Sequence, residues 1–152
     1  MAERETSLLE ALEVSESLSD ADLYRAVVQC LGESGLIGFL SSHNMAEPLP
    51  QDRLEELRVF VGSQSRRGMA FGDAGLERSR RALARSCRDL LAAIEKYTTL
   101  DVFGRPAVPR VLTHEDPGKF DVTVYRLNRL ASRCVGAYQQ FRRRGEARLA
   151  RR

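Results

Sequence analysis

Residues 73–97 read DAGLERSRRALARSCRDLLAAIEKY, and residues 120–141 read FDVTVYRLNRLASRCVGAYQQF. In the first stretch Leu76, Arg80, Leu83, Cys87, Leu90, Ile94 and Tyr97 recur at alternating spacings of four and three. In the second, Phe120, Val124, Leu127, Ala131, Cys134, Tyr138 and Phe141 repeat the same rhythm. On an α-helix that rhythm keeps every member on one face, the seam along which two helices pack at a shallow angle. Three heptads are the lower limit for a coiled coil, so the pattern suits the core of a bundle. Asp73 has the side chain of an N-cap, and no proline follows before Tyr97. The matched lengths predict an antiparallel hairpin, about 73–97 against 120–148, with Tyr97 near Phe120. In that register Cys87 lies beside Ala131 and Cys134, and the two cysteines occupy adjacent core layers as small buried hydrophobes. Arg80 is the one charge on either seam. Its expected solution is to lay its stem along apolar surface and put the guanidinium in water, the alternative being a buried pair with an acid of the N-terminal helices.

Outward from the hairpin, the N-terminal half supplies shorter helices to pack on it. Residues 4–14 place Leu8, Leu9 and Leu12 on one side of a short acidic helix. Ser19 followed by Asp22 resembles a capping box that opens a helix through Leu23, Val27, Val28 and Leu31. Gly32, Gly35 and Gly38 predict a break, Pro48 and Pro50 close a loop, and a third helix starts near Gln51 with Leu54, Leu57, Phe60 and Val61 inward. Gly62–Gly72, with Ser63, Ser65, Arg66, Arg67 and Gly68, reads as a mobile polar linker and a candidate hinge. Thr98–Phe103 and Val108–Thr113 flank Gly104-Arg105-Pro106, which predicts a small β-hairpin within the 98–119 connection. The final helix follows the turn Asp116-Pro117-Gly118. The fold expected is all-α: one domain over 1–152, with acidic helices in 1–61, a linker over 62–72, the long hairpin over 73–148 and a basic tail over 149–152.

A chain of 152 residues, 43% apolar and 30% charged, fits a single globular domain, and at that size it buries roughly 68–70% of its unfolded surface without a disulfide scaffold. No apolar run approaches the ~18 residues of a membrane span. The acidic start, Met1-Ala2-Glu3-Arg4-Glu5, lacks the form of a secretory signal. Three cysteines without C-x-x-C spacing predict reduced thiols and a cytoplasmic location. Arginine outnumbers lysine 22 to 2, as codon usage in a GC-rich genome would produce.

Codon usage does not explain where the charges sit. Residues 1–60 carry four Arg against twelve Asp and Glu, a net of −8. Residues 61–120 carry eleven Arg and Lys against seven acids, a net of +4, and 121–152 carry nine Arg against Asp121 and Glu146, a net of +7. Opposite the seams, Arg78, Arg81, Arg85 and Arg88 line one helix, and Arg126, Arg129 and Arg133 line the other, continued by Arg143, Arg144 and Arg148. A solvated helix face normally mixes signs through i,i+4 pairs. Glu77 can pair with Arg81 and Asp89 with Arg85, but between Asp121 and Glu146 no acid stands among the arginines. Three occupants suit such a face: the chain's own acidic N-terminal helices, an acidic protein surface, or nucleic-acid phosphates clamped by Arg142, Arg143, Arg144, Arg148, Arg151 and Arg152. Tyr125 is the only aromatic of the last helix off the seam, so stacking platforms for single strands are scarce.

Catalytic chemistry has little to rest on. The two histidines, His43 and His114, sit in predicted loops; Ser41-Ser42-His43 lacks a strand–elbow–helix setting. His114-Glu115-Asp116 are chain neighbours that point apart, unlike metal ligands drawn from several elements. The seams carry no paired carboxylates and the chain no phosphate-binding glycine loop, so no cofactor is expected. The sequence therefore predicts a non-enzymatic interaction or regulatory module that docks an acidic protein, with nucleic-acid binding through the same arginines as the alternative. Self-association is open to it, and membrane insertion is not.

Overall fold

The computed structural model describes residues 19–66 and 70–150. The described elements are α1 (Asp20–Leu31), α2 (Leu36–Ser42), α3 (Gln51–Ser63), α4 (Ala74–Tyr97), the strands β1 (Thr99–Leu100) and β2 (Pro106–Ala107), α5 (Leu112–Glu115) and α6 (Pro117–Leu149). The helix expected over 4–14 and the end of the basic tail, Arg151 and Arg152, lie outside the described residues. The fold is the all-α bundle predicted: α4 and α6 form the main interface, α3 packs on α4, α2 on α6, and α1 on both α3 and α6. Among the described residues no helix is long and apolar enough to cross a membrane.

Three contacts fix the α4–α6 pairing as antiparallel. At one end Arg148 reaches the Asp73 carboxylate at 3.0 Å, and in the middle the buried Cys134 thiol lies close enough to the Cys87 thiol to affect its titration. At the other end the Tyr97 hydroxyl accepts from Arg126 at 2.5 Å. Leu76, Leu83, Cys87, Leu90 and Ile94 face Leu127, Ala131, Cys134, Tyr138 and Phe141 across a dry seam, all buried. Burial of this kind contributes about 1.5–3 kcal/mol per large side chain, which is why the seam outweighs the weaker propensities around it. Both cysteines are the small buried hydrophobes expected, and Cys30 of α1 joins them in the core. The Cys87 thiol is pushed well above its ordinary pKa, first by its hydrogen bond with Cys134 and then by burial. The register differs by about a turn at the open end: the pairs above level Tyr97 with Val124, four residues on from Phe120, and its hydroxyl meets Arg126. Asp116 is a true N-cap, its carboxylate accepting Lys119 N–H at 3.1 Å, with Pro117 at the first helical position. The predicted turn Asp116-Pro117-Gly118 is thus the start of α6, whose first turn overhangs the end of α4.

The N-terminal helices follow their local signals. Ser19 accepts Asp22 N–H at 3.2 Å while its hydroxyl donates to the Asp22 carboxylate at 2.8 Å. The glycines break the chain as read, with α1 stopping at Gly32 and α2 starting after Gly35. Gly38 has a further reason to be glycine, because a Cβ there would lie 1.6 Å from the Glu33 carbonyl oxygen. In α3, Leu54, Leu57 and Phe60 are buried and Val61 is half-buried.

The Gly62–Gly72 linker is corrected. Gly62 and Ser63 belong to α3, and Phe71 is buried with its ring 5.7 Å from Phe141. Glu77 accepts Phe71 N–H at 3.1 Å, and the Asp20 carboxylate accepts Gly72 N–H and Asp73 N–H at 2.8 and 3.0 Å. One buried acid therefore ties the start of α1 to the start of α4, and the described end of this segment is anchored rather than loose.

The β-hairpin is present with shorter strands than predicted and a second strand that starts at Pro106 instead of Val108: Thr99 pairs Ala107 and Leu100 pairs Pro106. Asp101 draws it closed by accepting Phe103 N–H and Arg105 N–H at 2.9 and 2.8 Å, and Gly104 takes a positive φ of 75°. Val108 is buried behind the second strand, and Val111 leads into α5 instead of extending a strand.

Where α1 crosses α6, Gly145 lets the Tyr24 ring approach so closely that an added Cβ would stand 2.0–2.7 Å from three ring atoms. Alanine is the better helix former by ~1 kcal/mol, but overpacking a filled contact costs about 1–3 kcal/mol. Gly145→Ala should therefore lower the urea midpoint of unfolding; a raised midpoint would mean the Tyr24 ring moves aside freely.

Candidate docking face

On α4, the seam fixes which side faces water, and Arg78, Arg81, Arg85 and Arg88 all emerge there, exposed. Together with Gln64, the C-cap of α3, and Ala84 they line one open depression of about 650 Å³. On α6, Arg126, Arg129, Arg133, Arg143 and Arg148 are exposed and Arg144 is half-buried. The register set by Asp73–Arg148 and Cys87–Cys134 puts Arg78 level with Arg143 and Arg88 level with Arg133. The depression gathers the α4 arginines only.

Not all of these arginines are free to bind. Arg81 donates to Glu77 at 2.9 Å, the pair anticipated from the i,i+4 spacing. Arg148 is held by Asp73, and the Arg126 guanidinium also lies over the Tyr97 ring, 5.2 Å from its centre. These three have structural partners within the hairpin. Arg142, assigned to a phosphate clamp from sequence, is paired with Glu33 and with Glu146, so with Arg148 the clamp loses two members. Arg78, Arg85, Arg88, Arg129, Arg133, Arg143 and Arg144 have no acidic partner among the described residues, and Asp89 does not engage Arg85.

Arg80 departs from both readings the sequence allowed. It neither snorkels nor reaches an acid of the N-terminal helices. Buried at 7% exposure, its guanidinium donates to both carboxylate oxygens of Glu77 at 2.6 and 2.7 Å and to the Gln64 side-chain oxygen at 2.8 Å. The i,i+3 spacing from Glu77 to Arg80 was there to read. Burial opposes the charge on Glu77, but the bonds from Arg80, the Phe71 amide and Arg81 outweigh it and hold the pKa at about 2. This buried knot sits under the arginine depression and stiffens the first turns of α4 that carry Arg78 and Arg85. At the N-terminus of α4, hydrogen bonding from the Leu76 amide, helped by Arg148, keeps Asp73 below its usual carboxylate range.

Tyr125 is off the seam as read from the sequence; its neighbour Val122 and the apolar tip of the hairpin escaped sequence reasoning. Val122 and Tyr125 stand exposed on α6 ahead of Arg126 and Arg129, and Leu100, Val102 and Phe103 are exposed around the β-hairpin. The hairpin trio is legible only once the turn is known to close at Asp101, which pushes Val102 and Phe103 to its tip.

Chemistry elsewhere is sparse. Ser41 and Ser42 end α2, exposed; His43 is half-buried, stacked 4.5 Å from the Phe39 ring with Nε2 3.2 Å from the Glu47 carbonyl oxygen. Burial lowers its pKa, against the raising effect of that carbonyl. His114 and Glu115 end α5 and are exposed beside Asp116. Among the described residues no three His, Cys, Asp or Glu are placed to hold a metal. Comparison of the chain with protein-family profiles, with curated proteins and with solved structures finds no match.

Proposed function

We propose that this protein is a non-catalytic helical interaction module that docks an acidic protein surface through the arginine faces of α4 and α6. The observation that carries the reading is the set of seven arginines with no acid beside them among the described residues. Three of them, with Arg81, line one depression above a rigid buried ion pair. An uncompensated row of guanidinia on a stiff helix is suited to carboxylates, which each guanidinium can engage in a bidentate pair. Nucleic-acid phosphate is the alternative ligand, favoured by the same charge and disfavoured because, among the described residues of α4 and α6, Tyr125 is the one exposed aromatic. Three buried thiols outside any disulfide support a reducing compartment such as the cytoplasm as its setting.

Fluorescence anisotropy of labelled poly-L-glutamate, duplex DNA and single-stranded RNA, at ~50 and ~200 mM salt, separates the two ligands. Poly-glutamate binding should weaken about tenfold when Arg78, Arg85 and Arg88 are changed together to glutamine, three exposed pairs at roughly 0.5 kcal/mol each. Binding of nucleic acid alone, with a steep salt slope, would transfer the face to the alternative reading. No binding of any of the three at low salt would leave the arginines as solvent coat.

A further inference from the structure

The depression lies on the helix whose start is bonded to the start of α1, and the eighteen residues that precede α1 in the sequence are acidic. Residues 1–18 carry Glu3, Glu5, Glu10, Glu13 and Glu16 against Arg4, with Leu8, Leu9 and Leu12 between them. The chain leaves this segment at Ser19, and Asp20 is bonded to the Gly72 and Asp73 amides at the start of α4. The segment is thus tethered within a few residues of Arg78. From Ala74 to Arg88 α4 is ~21 Å long at 1.5 Å per residue, and eighteen residues span ~27 Å even when helical. Reach, charge and proximity agree.

We propose that residues 1–18 dock on the α4 depression of the same chain, setting glutamates against Arg78, Arg85 and Arg88, and so compete with the acidic partner. This inference rests on the reading of the arginine face as an acidic-protein docking surface. Tethering makes the competitor local, so its effective concentration is high and even weak contacts hold back a partner in solution. The face is then autoinhibited, and the partner must displace the segment or offer more carboxylates than it does.

The test is amide hydrogen exchange of residues 2–18 in the full chain, compared with a free synthetic peptide of the same residues. Exchange in the chain should be at least ~10-fold slower than in the peptide. The protection should disappear in the Arg78→Gln, Arg85→Gln, Arg88→Gln variant and in the Glu10→Gln, Glu13→Gln, Glu16→Gln variant. Unchanged protection of residues 83–94 in both variants would verify that the bundle stays folded. Exchange at the free-peptide rate, or protection that survives the arginine changes, overturns the proposal. With the segment released, the glutamine-for-glutamate variant should bind labelled poly-L-glutamate several-fold more tightly than the parent chain. Poly-glutamate binding with residues 2–18 exchanging freely refutes this inference and leaves the docking reading standing. Absence of poly-glutamate binding in every variant, released segment included, overturns both.

Discussion

Glu77→Ala should lower the stability of the fold by about 3–5 kcal/mol, the cost of stripping the counter-charge from a buried ion. The Glu77 side chain is 13% exposed and that of Arg80 9%. Without the carboxylate, the Arg80 guanidinium keeps only Gln64, and the Phe71 amide loses its acceptor. For a chain of this size the melting temperature should fall by roughly 10 °C. Acid provides an independent reading of the same group. The Glu77 pKa is held at about 2 against an ordinary 4.5, so the folded value is the lower one. The resulting stabilisation, about 3 kcal/mol, is complete above pH ~4.5 and is lost as pH falls toward ~2. Urea unfolding followed between those limits should show the acid limb flattened in Glu77→Gln. An unchanged limb would mean that other carboxylates carry the acid sensitivity, and a loss below 1 kcal/mol in Glu77→Ala would mean that water reaches Arg80.

Phe141→Ala should be of similar size, about 3–5 kcal/mol. Phe141 is fully buried, and its ring joins three parts of the chain: its own helix, Tyr24 of α1 at 5.4 Å and Phe71 at 5.7 Å. Truncation leaves a void that neither neighbour can fill, since both are pinned by their backbones, and it also removes two aromatic pairs. The damage should be local in a recognisable way: exchange of the Gly72 and Asp73 amides should accelerate more than that of the Leu83–Leu90 stretch. Gly145→Ala should cost less in the Phe141→Ala background than alone, because Tyr24 then has room to yield. Strict additivity of the two changes would show that the ring contacts are independent.

The two long helices were legible because a repeated spacing of apolar residues is a statement about geometry, and burial of Leu83, Cys87, Leu127 and Cys134 fulfils it. The β-hairpin was legible from its glycine turn. What periodicity cannot carry is phase along the partner, so the register came out about a turn off at Tyr97, which stands level with Val124 and not with Phe120. Polar pairings between distant residues were equally invisible. Asp20 with the Gly72 and Asp73 amides, and Gln64 with Arg80, are separated by 52, 53 and 16 residues, and nothing local marks them. Phe71 was hidden for a related reason: a lone aromatic among Gly, Ser and Arg is read by its surroundings, while its fate is decided by Phe141. The candidate site was half legible. Helical phase put the arginines outward and spacing gave the Arg81–Glu77 pair, but Arg126 and Arg148 have partners within the hairpin that only the fold reveals.

The three core cysteines give the bundle a set of internal clocks. Cys30 belongs to α1, Cys87 to α4 and Cys134 to α6, and none exceeds 7% exposure. An alkylating reagent reaches each sulfur only during an opening that frees its own helix, so the rate at which each site gains mass times the separation of that helix from the others. Without any introduced probe, the order in which the three sites label distinguishes a bundle that sheds α1 first from one whose α4–α6 pair opens as a unit.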